Sequence, residues 1–328
     1  MKPPLDVVEL ARRVEAAEPA AVARAISLVE DRRPSAEAQS VELLRELRHV
    51  GQAARGERVG ITGPPGAGKS SLLSALSRVA REQGRTVGVL AVDPSSPRSG
   101  GALLGDRARI AIDADDTGLF VRSMASGGDL GGLSRAAGAA VEVLAAAYEL
   151  VVVETTGVGQ SETDVEHVAD TVVLVIQPAS GDVLQFLKAG ILEIPDVLVV
   201  NKSDLGAVAE RARSELVSAL DAIYAGGAPD WRPPVVSTSA PTAAGIEELI
   251  EVIDNHRAHL DAEHALAARR TRSAAAWALR LFTQRYGDVG VDVAGGRDAL
   301  LARFTKAVEG GATAVEAVAA ERPAYASR

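Results

Sequence analysis

One short segment, Gly63-Pro64-Pro65-Gly66-Ala67-Gly68-Lys69-Ser70, combines conformationally free glycines with a lysine and a hydroxyl group. It follows the apolar run from Arg58 to Thr62 and precedes Ser71 and a stretch with apolar residues at helical spacing. A loop in this context closes backbone N–H groups around phosphates, and the helix N-terminus adds its dipole. Its lysine reaches the β- and γ-phosphates, and its serine ligates Mg²⁺. We therefore predict a nucleotide-binding phosphate loop at residues 63–70, with Ser71 beside it.

Lysine usage supports this interpretation. The chain has 35 Lys and Arg residues, and the lysines among them are Lys2, Lys69, Lys188, Lys202 and Lys306. The presence of lysine at a given position of such an arginine-rich chain suggests that the position requires a compact ammonium group. The planar guanidinium of arginine does not reproduce this group. Lys69 and Lys202 both lie in candidate nucleotide motifs.

A second polar motif, Asn201-Lys202-Ser203-Asp204, directly follows the apolar run VLVV. Open α/β sheets bind ligands at the carboxyl ends of their strands. An ionised Asp204 accepts from guanine N1–H and from the 2-amino group, whereas adenine has neither donor. We expect Asn201 to bond the N7 side of the base and Lys202 to lie along its plane. The motif therefore favours GTP and GDP as ligands.

A backbone N–H for guanine O6 is expected from the segment after the next apolar run. This segment is Ser237-Thr238-Ser239-Ala240, and we assign the contact to Ser239 and Ala240.

Carboxylates at three further positions are candidates for the Mg²⁺ site. Asp93 ends the run from Val87, Asp106 follows a glycine-rich stretch, and Glu154 closes the run LVVVE. Mg²⁺ keeps several waters and takes one or two carboxylates. With the serine of the phosphate loop, the predicted metal set is Ser70, Asp93, Asp106 and Glu154.

Hydrolysis of a γ-phosphate needs charge stabilisation and an aligned water more than covalent chemistry. We assign the catalytic roles to Lys69, Asp93, Glu154 and Gln160. The amide of Gly157 could sense the γ-phosphate. Gln160 could align the attacking water or only shape its loop, and the sequence leaves both open.

The elements that position these motifs alternate between apolar runs and helix-length segments. Near-continuous apolar runs of this kind are typical of strands buried in a parallel sheet. The fold class is therefore α/β, a mostly parallel central sheet flanked by helices. The predicted strands are 58–62, 87–92, 150–154, 172–176, 197–201 and 235–238.

Helical spacing dominates both ends of the chain. We predict a helical N-terminal extension at 1–55, a nucleotide-binding core at 56–261 and a helical C-terminal arm at 262–328. The arm could pack on its own core or on a second subunit, because a long amphipathic helix must bury its apolar face.

Composition narrows the partners. The net charge of −9 offers no basic stripe for nucleic acid. No segment reaches the roughly 20 apolar residues of a membrane span. The N-terminus is too acidic for a typical transit peptide and lacks the apolar core of a signal peptide. Cysteine is absent, which fits a reducing compartment. We expect a soluble, cytoplasmic protein.

Several blocks together closely resemble the MeaB/ArgK family of P-loop GTPases, which includes the human methylmalonic aciduria type A protein. The blocks are GPPGAGKSS, AVDPSSPRSGGALLGDRARI, FVRSMAS, VVVETTGVGQSETDV, GDVLQFLKAGILEIPDVLVVNKSDL and STSAPTAAGIEEL. The resemblance implies a GTP-hydrolysing chaperone of an adenosylcobalamin-dependent acyl-CoA mutase, usually methylmalonyl-CoA mutase. It also implies a homodimer formed through the C-terminal arm. Switch segments would map onto 93–109, 154–166 and about 178–188.

The mutase would be a separate polypeptide, since the chain lacks the Asp-x-His-x-x-Gly cobalamin signature. Two alternatives are a nickel-type metallochaperone GTPase and an ArgK-like kinase. The first usually needs His-rich or Cys-containing metal sites, and the second needs another substrate pocket.

Overall fold

The computed structural model describes residues 5–49, 56–93, 116–126, 133–155, 164–178, 194–227 and 230–321, without the side chains of His49 and Asp93. Two compact units divide the chain. The sheet unit comprises Glu57–Ser134 and Tyr148–Glu263, and the helical unit comprises Met1–Gly56, Arg135–Ala147 and His264–Arg328.

A seven-stranded parallel sheet forms the centre of the sheet unit. Its strands are β1 (Glu57–Thr62), β2 (Val87–Asp93), β3 (Leu119–Ala125), β4 (Leu150–Glu154), β5 (Thr171–Ile176), β6 (Val197–Val200) and β7 (Val235–Ser237). They lie in the order β3-β2-β4-β1-β5-β6-β7. Every residue of β4, β5 and β6 is buried, as expected for a parallel sheet covered on both faces. The predicted fold class is confirmed.

Strand β3 was missed by the sequence analysis. Within the described part of the chain it lies at one edge of the sheet and pairs in parallel with β2 alone, from Val87↔Leu119 to Asp93↔Ala125. Its central residues Arg122 and Ser123 are half-buried and polar. An edge strand needs less apolar sequence than a central one, so it lacks the continuous apolar run by which the other strands were found.

The described helices are α1 (Val7–Glu15), α2 (Pro19–Glu30), α3 (Pro34–His49), α4 (Lys69–Glu82), α5 (Ala137–Ala147), α6 (Ala207–Ile223), α7 (Ile246–Ala262), α8 (Ala265–Val293), α9 (Arg297–Glu309) and α10 (Ala314–Ala320). Short 3-10 turns lie at Val165–His167, Ser203–Leu205 and Tyr224–Gly226. Within the described ranges, no helix combines the length and apolar character that crossing a membrane requires.

Helix α4 shows why the central helices form here. Its leucines Leu72, Leu73 and Leu76 recur at helical spacing and are buried. They belong to the same core cluster as Val59 of β1 and Val89 of β2. This packing fixes the N-terminus of α4 at the carboxyl end of β1.

Helix α5 belongs to the helical unit, although the predicted boundaries placed it inside the 56–261 core. Its Ala- and Val-rich sequence is buried nearly all round, and it packs against α1, α2 and α3. A helix that is apolar on every side needs cover on every side, which the terminal helices supply. A Cβ added at Gly138 of α5 would lie 2.5 Å from Nε1 of Trp277 in α8.

The C-terminal arm is helical in its described part, as predicted. Helix α8 kinks at Gly287, which has a φ of 68° and a ψ of −178°. Arg303 of α9 pairs with Glu321 at 2.8 Å. Thr313 and Glu316 close a capping box at the start of α10.

Candidate nucleotide-binding site

The phosphate loop connects β1 to α4 and depends on glycine where it passes strand β5. Gly63 has a φ of 140°, and a Cβ there would lie 2.1 Å from the carbonyl oxygen of Val175. No flexible side chain could move to relieve this clash, because the obstructing atom is backbone. The close approach of β1 and β5 therefore explains the first glycine of the motif.

Gly68 ends the loop in the left-handed conformation, with a φ of 87°, and serves as the N-cap of α4. A Cβ at this position would lie 2.5 Å from Nδ2 of Asn201. Gly68 has no side chain with which to cap the first turn of α4. The backbone N–H groups of that turn are therefore suited to an anion, as at other helix N-termini.

Lys69, the predicted phosphate-holding lysine, is folded over the loop. Its ammonium donates to the carbonyl oxygens of Gly63 at 2.8 Å and Pro64 at 3.1 Å. The side chain is buried, with 7% of the residue exposed. Two carbonyl acceptors thus hold the positive charge inside the phosphate loop.

Two residues of the predicted metal set meet in the structure. Ser70 Oγ, in the first turn of α4, donates to Glu154 Oε1 at 2.6 Å. Glu154 ends β4 and is 5% exposed. The next residue, Thr155, is tied to β1 by its amide at 3.1 Å from Ile61 O and by its hydroxyl at 3.0 Å from Thr62 Oγ1. The parallel pairing of β1 and β4 therefore brings together side chains that are 84 residues apart.

Asp93 lies at the same edge of the sheet. It ends β2, two residues after Ala91, which is the register partner of Glu154. Its side chain is not described. Asp106, Gly157 and Gln160 lie outside the described residues, as does most of the predicted switch segments.

Asn201 follows β6, as predicted, but its side chain points to the phosphate loop. Its Nδ2 donates to Ala67 O at 2.9 Å, and its Oδ1 accepts from Thr238 Oγ1 at 3.1 Å. The residue is 2% exposed. The expected contact with the N7 side of guanine stays a prediction. The bond to the phosphate loop was missed because it joins residues 134 positions apart.

Lys202 adopts the left-handed conformation, with a φ of 59°. Its Nζ donates to Gly66 O at 2.7 Å and to Gln177 Oε1 at 3.1 Å. The base motif, residues 201–204, is therefore bound to the phosphate loop through two successive side chains. Gln177, the residue after β5, was not among the predicted site residues, and no motif in the sequence marks it.

Asp204, the predicted guanine-reading carboxylate, is exposed and positioned by Ser239. Ser239 Oγ donates to Asp204 Oδ1 at 2.7 Å. The Ser239 amide is occupied, because it donates to Ala244 O at 3.0 Å. The N–H of Ser239 was predicted to lie near the base, whereas the structure brings the hydroxyl of Ser239 to the base motif.

A family model described as "Methylmalonyl Co-A mutase-associated GTPase MeaB" matches residues 22–289. The chain belongs to the MeaB family. This match spans the phosphate loop, the base motif and helices of both units. The MeaB-type chain is therefore a GTPase, as the two motifs predicted.

Known relatives agree with this assignment. A protein of Pyrococcus horikoshii that carries the name of a GTPase is 45% identical over 272 residues, 82% of this chain and 83% of its own length. GTPase ArgK of Escherichia coli is 36% identical over 278 residues, 83% and 82% of the two chains. The mitochondrial methylmalonic aciduria type A homolog of mouse is 39% identical over 243 residues, 73% of this chain and 58% of its own.

A solved structure is similar over most of the MeaB-type chain. The crystal structure of an LAO/AO transport system kinase superposes with a TM-score of 0.65 and 30% sequence identity. The match covers 87% of this chain and 85% of that one. The fold is thus shared over most of both chains.

Proposed function

We propose that this MeaB-family GTPase is a chaperone of an adenosylcobalamin-dependent acyl-CoA mutase, with methylmalonyl-CoA mutase as the first candidate. The observation that carries the proposal is the match to the mutase-associated GTPase family over residues 22–289. The mouse relative, named for methylmalonic aciduria, supports the same client. In this proposal, GTP binding and hydrolysis gate cofactor loading and protect the mutase, which is a separate polypeptide.

We assign the nucleotide contacts as follows. Lys69 and the N-terminal amides of α4 hold the β- and γ-phosphates. Asp204 accepts from guanine N1–H and the 2-amino group, with its carboxylate oriented by Ser239. The amide of Ala240 donates to O6, because the amide of Ser239 is already bonded within the chain.

The residues at the phosphate end suit Mg²⁺. Ser70 and Glu154 offer hard oxygen donors 2.6 Å apart, the ligand type that Mg²⁺ prefers. Asp93 and Asp106 complete the proposed set. When bound, Mg²⁺ neutralises charge on the β- and γ-phosphates.

Hydrolysis follows from this arrangement. A water attacks the γ-phosphorus, and the bond to the bridging oxygen breaks to give GDP and phosphate. Lys69 stabilises the charge that develops on the phosphates. We propose that Gly157 senses the γ-phosphate and that Gln160 aligns the water.

The C-terminal arm is proposed to pair two subunits. Val289 and Val293 lie four residues apart on α8, on the far side of the Gly287 kink, and are 69% and 50% exposed. Residues four apart share one helix face, so a second copy could bury both. Light scattering of the full chain should give the mass of a dimer. Replacing both valines with Asp should give a monomer, whereas Val8→Asp at an exposed position of α1 should not.

Binding to the mutase tests the main proposal. Size-exclusion chromatography of the full chain with methylmalonyl-CoA mutase, with GDP or a non-hydrolysable GTP analogue, should yield a complex whose amount depends on the nucleotide. No complex in either state, with this mutase and with other acyl-CoA mutases, would contradict it. The solved relative is named a kinase, so transfer of the γ-phosphate to a protein acceptor should be measured in parallel.

A further inference from the structure

Gln177 lies between the phosphate loop and the base motif. It directly follows β5, the strand that pairs with β1 on one side and with β6 on the other. Its Oε1 accepts from Lys202 Nζ at 3.1 Å and lies 3.6 Å from the position of a Cβ at Gly66. The side chain is half-buried. One amide therefore faces both nucleotide motifs.

The Gln177 amide restricts the side chain of Lys202. A lysine side chain is a flexible four-carbon stem that loses considerable rotamer freedom when it is fixed. Its ammonium has three N–H donors, and Gly66 O at 2.7 Å accepts one of them. Gln177 Oε1 provides a second acceptor on a different element. Two acceptors hold the ammonium more narrowly than one, and Cε then lies 3.8 Å from the position of a Cβ at Gly68.

We infer that Gln177 is a positioning residue for the guanine nucleotide and that it acts through Lys202. By holding the ammonium against Gly66, it keeps the Lys202 stem stretched across the phosphate loop, where the base plane is proposed to lie. A side chain that is already ordered loses less entropy when the ligand arrives. The inference rests on the proposed guanine site, since it deepens the role of Lys202 there.

The group that matters is the acceptor oxygen. Gln177→Leu has a similar size but no acceptor, whereas Gln177→Glu keeps the oxygen and adds a charge opposite the ammonium. We expect Gln177→Leu to raise the Kd for GDP and for GTP about three- to tenfold, the range for one lost hydrogen bond. Gln177→Glu should bind both nucleotides as tightly as the wild type or more tightly. The preference for GTP over ATP should not change, because Asp204 is untouched.

The experiment is a double-mutant cycle on the full chain, with a fluorescent GDP derivative as the probe. Gln177→Leu should weaken binding in the wild-type background and weaken it less in Lys202→Met, because that variant lacks the ammonium that Gln177 holds. The same fold loss in both backgrounds, or a Gln177→Glu variant as weak as Gln177→Leu, would overturn the inference. If Gln177→Leu melts earlier than the wild type, Gln177→Ala, which also lacks the acceptor oxygen, replaces it in the cycle with the same expectations.

Failure of the proposed site has a different signature. Asp204→Ala should lose the preference for GTP over ATP whatever stands at position 177. If the preference survives in Asp204→Ala, the base site itself is wrongly placed. If it is lost there while the Gln177–Lys202 cycle is additive, only the role of Gln177 is refuted.

Discussion

Asn201 Nδ2 donates to the carbonyl oxygen of Ala67 at 2.9 Å and thereby joins the base motif to the phosphate loop. The same side chain accepts from Thr238 at the end of β7. Phosphate loop, base motif and β7 are therefore linked by one buried amide. We infer that the proposed guanine and phosphate contacts are positioned together rather than independently.

Asn201→Ala should weaken GDP and GTP together. The substitution leaves the buried oxygen of Ala67 and the hydroxyl of Thr238 without this partner, and such a loss costs about 1–3 kcal/mol for a buried group. Nucleotide titration would measure the affinities for GDP and GTP, and chemical denaturation would measure the free energy of unfolding. Asn255→Ala makes the same change at an exposed position of α7 and should alter neither. An Asn201→Ala variant with wild-type affinity would show that the link is dispensable.

Asp204→Ala should remove the discrimination between GTP and ATP. Each hydrogen bond from guanine to a carboxylate is worth roughly 1.5–3 kcal/mol. Ser239→Ala should have a smaller effect in the same direction, because the carboxylate stays but its orienting hydroxyl is lost. Competition of each nucleotide against a fluorescent GDP derivative measures the preference. Asp288→Ala on α8 is the control, and unchanged discrimination in Asp204→Ala would refute the assignment.

Gly63→Ala should destabilise the chain far more than Gly84→Ala. Both glycines have a positive φ, so both substitutions carry backbone strain, about 1–3 kcal/mol for an L-residue in a sparsely populated conformation. Only Gly63 adds a clash, with Val175 O at 2.1 Å, while a Cβ at Gly84 meets nothing within 4 Å. Urea denaturation of the two variants gives the comparison. Equal losses of unfolding free energy would mean that β1 and β5 do not approach this closely.

Glu154→Gln should reduce GTP turnover more than GTP affinity. The amide keeps the size of the carboxylate but removes the charge proposed to face the Mg²⁺ site. Phosphate release at saturating GTP and Mg²⁺, beside a nucleotide titration, separates the two effects. Removal of Mg²⁺ with a chelator should abolish turnover in the wild type. Equal losses of turnover and affinity in Glu154→Gln would instead indicate a purely structural role.

The parts of the site that were predicted from the sequence are contiguous motifs or residues that directly follow a strand. Residues 63–70 form a contiguous motif between a strand and a helix, and Asp204 follows a strand that belongs to the same sheet. Apolar runs that alternate with helix-length segments predicted six strands correctly. Strand β3 was missed because it has polar residues in its centre.

The contacts that sequence analysis missed are long-range pairings between side chains. Asn201–Ala67, Lys202–Gln177 and Asp204–Ser239 join residues on different strands and loops. Their distances depend on the order of strands in the sheet, which no local pattern encodes. The grouping of α5 with the terminal helices was missed because it depends on packing between helices that are far apart in the sequence.

Phosphate release from GTP during titration with methylmalonyl-CoA mutase tests the central claim most directly. The full chain at saturating GTP and Mg²⁺ should change its turnover rate as the mutase is added, and the change should saturate at a fixed ratio of the two proteins. Lys69→Ala should remove turnover at every mutase concentration. A wild-type rate that stays constant throughout the titration, with this and other adenosylcobalamin-dependent acyl-CoA mutases, would contradict the account.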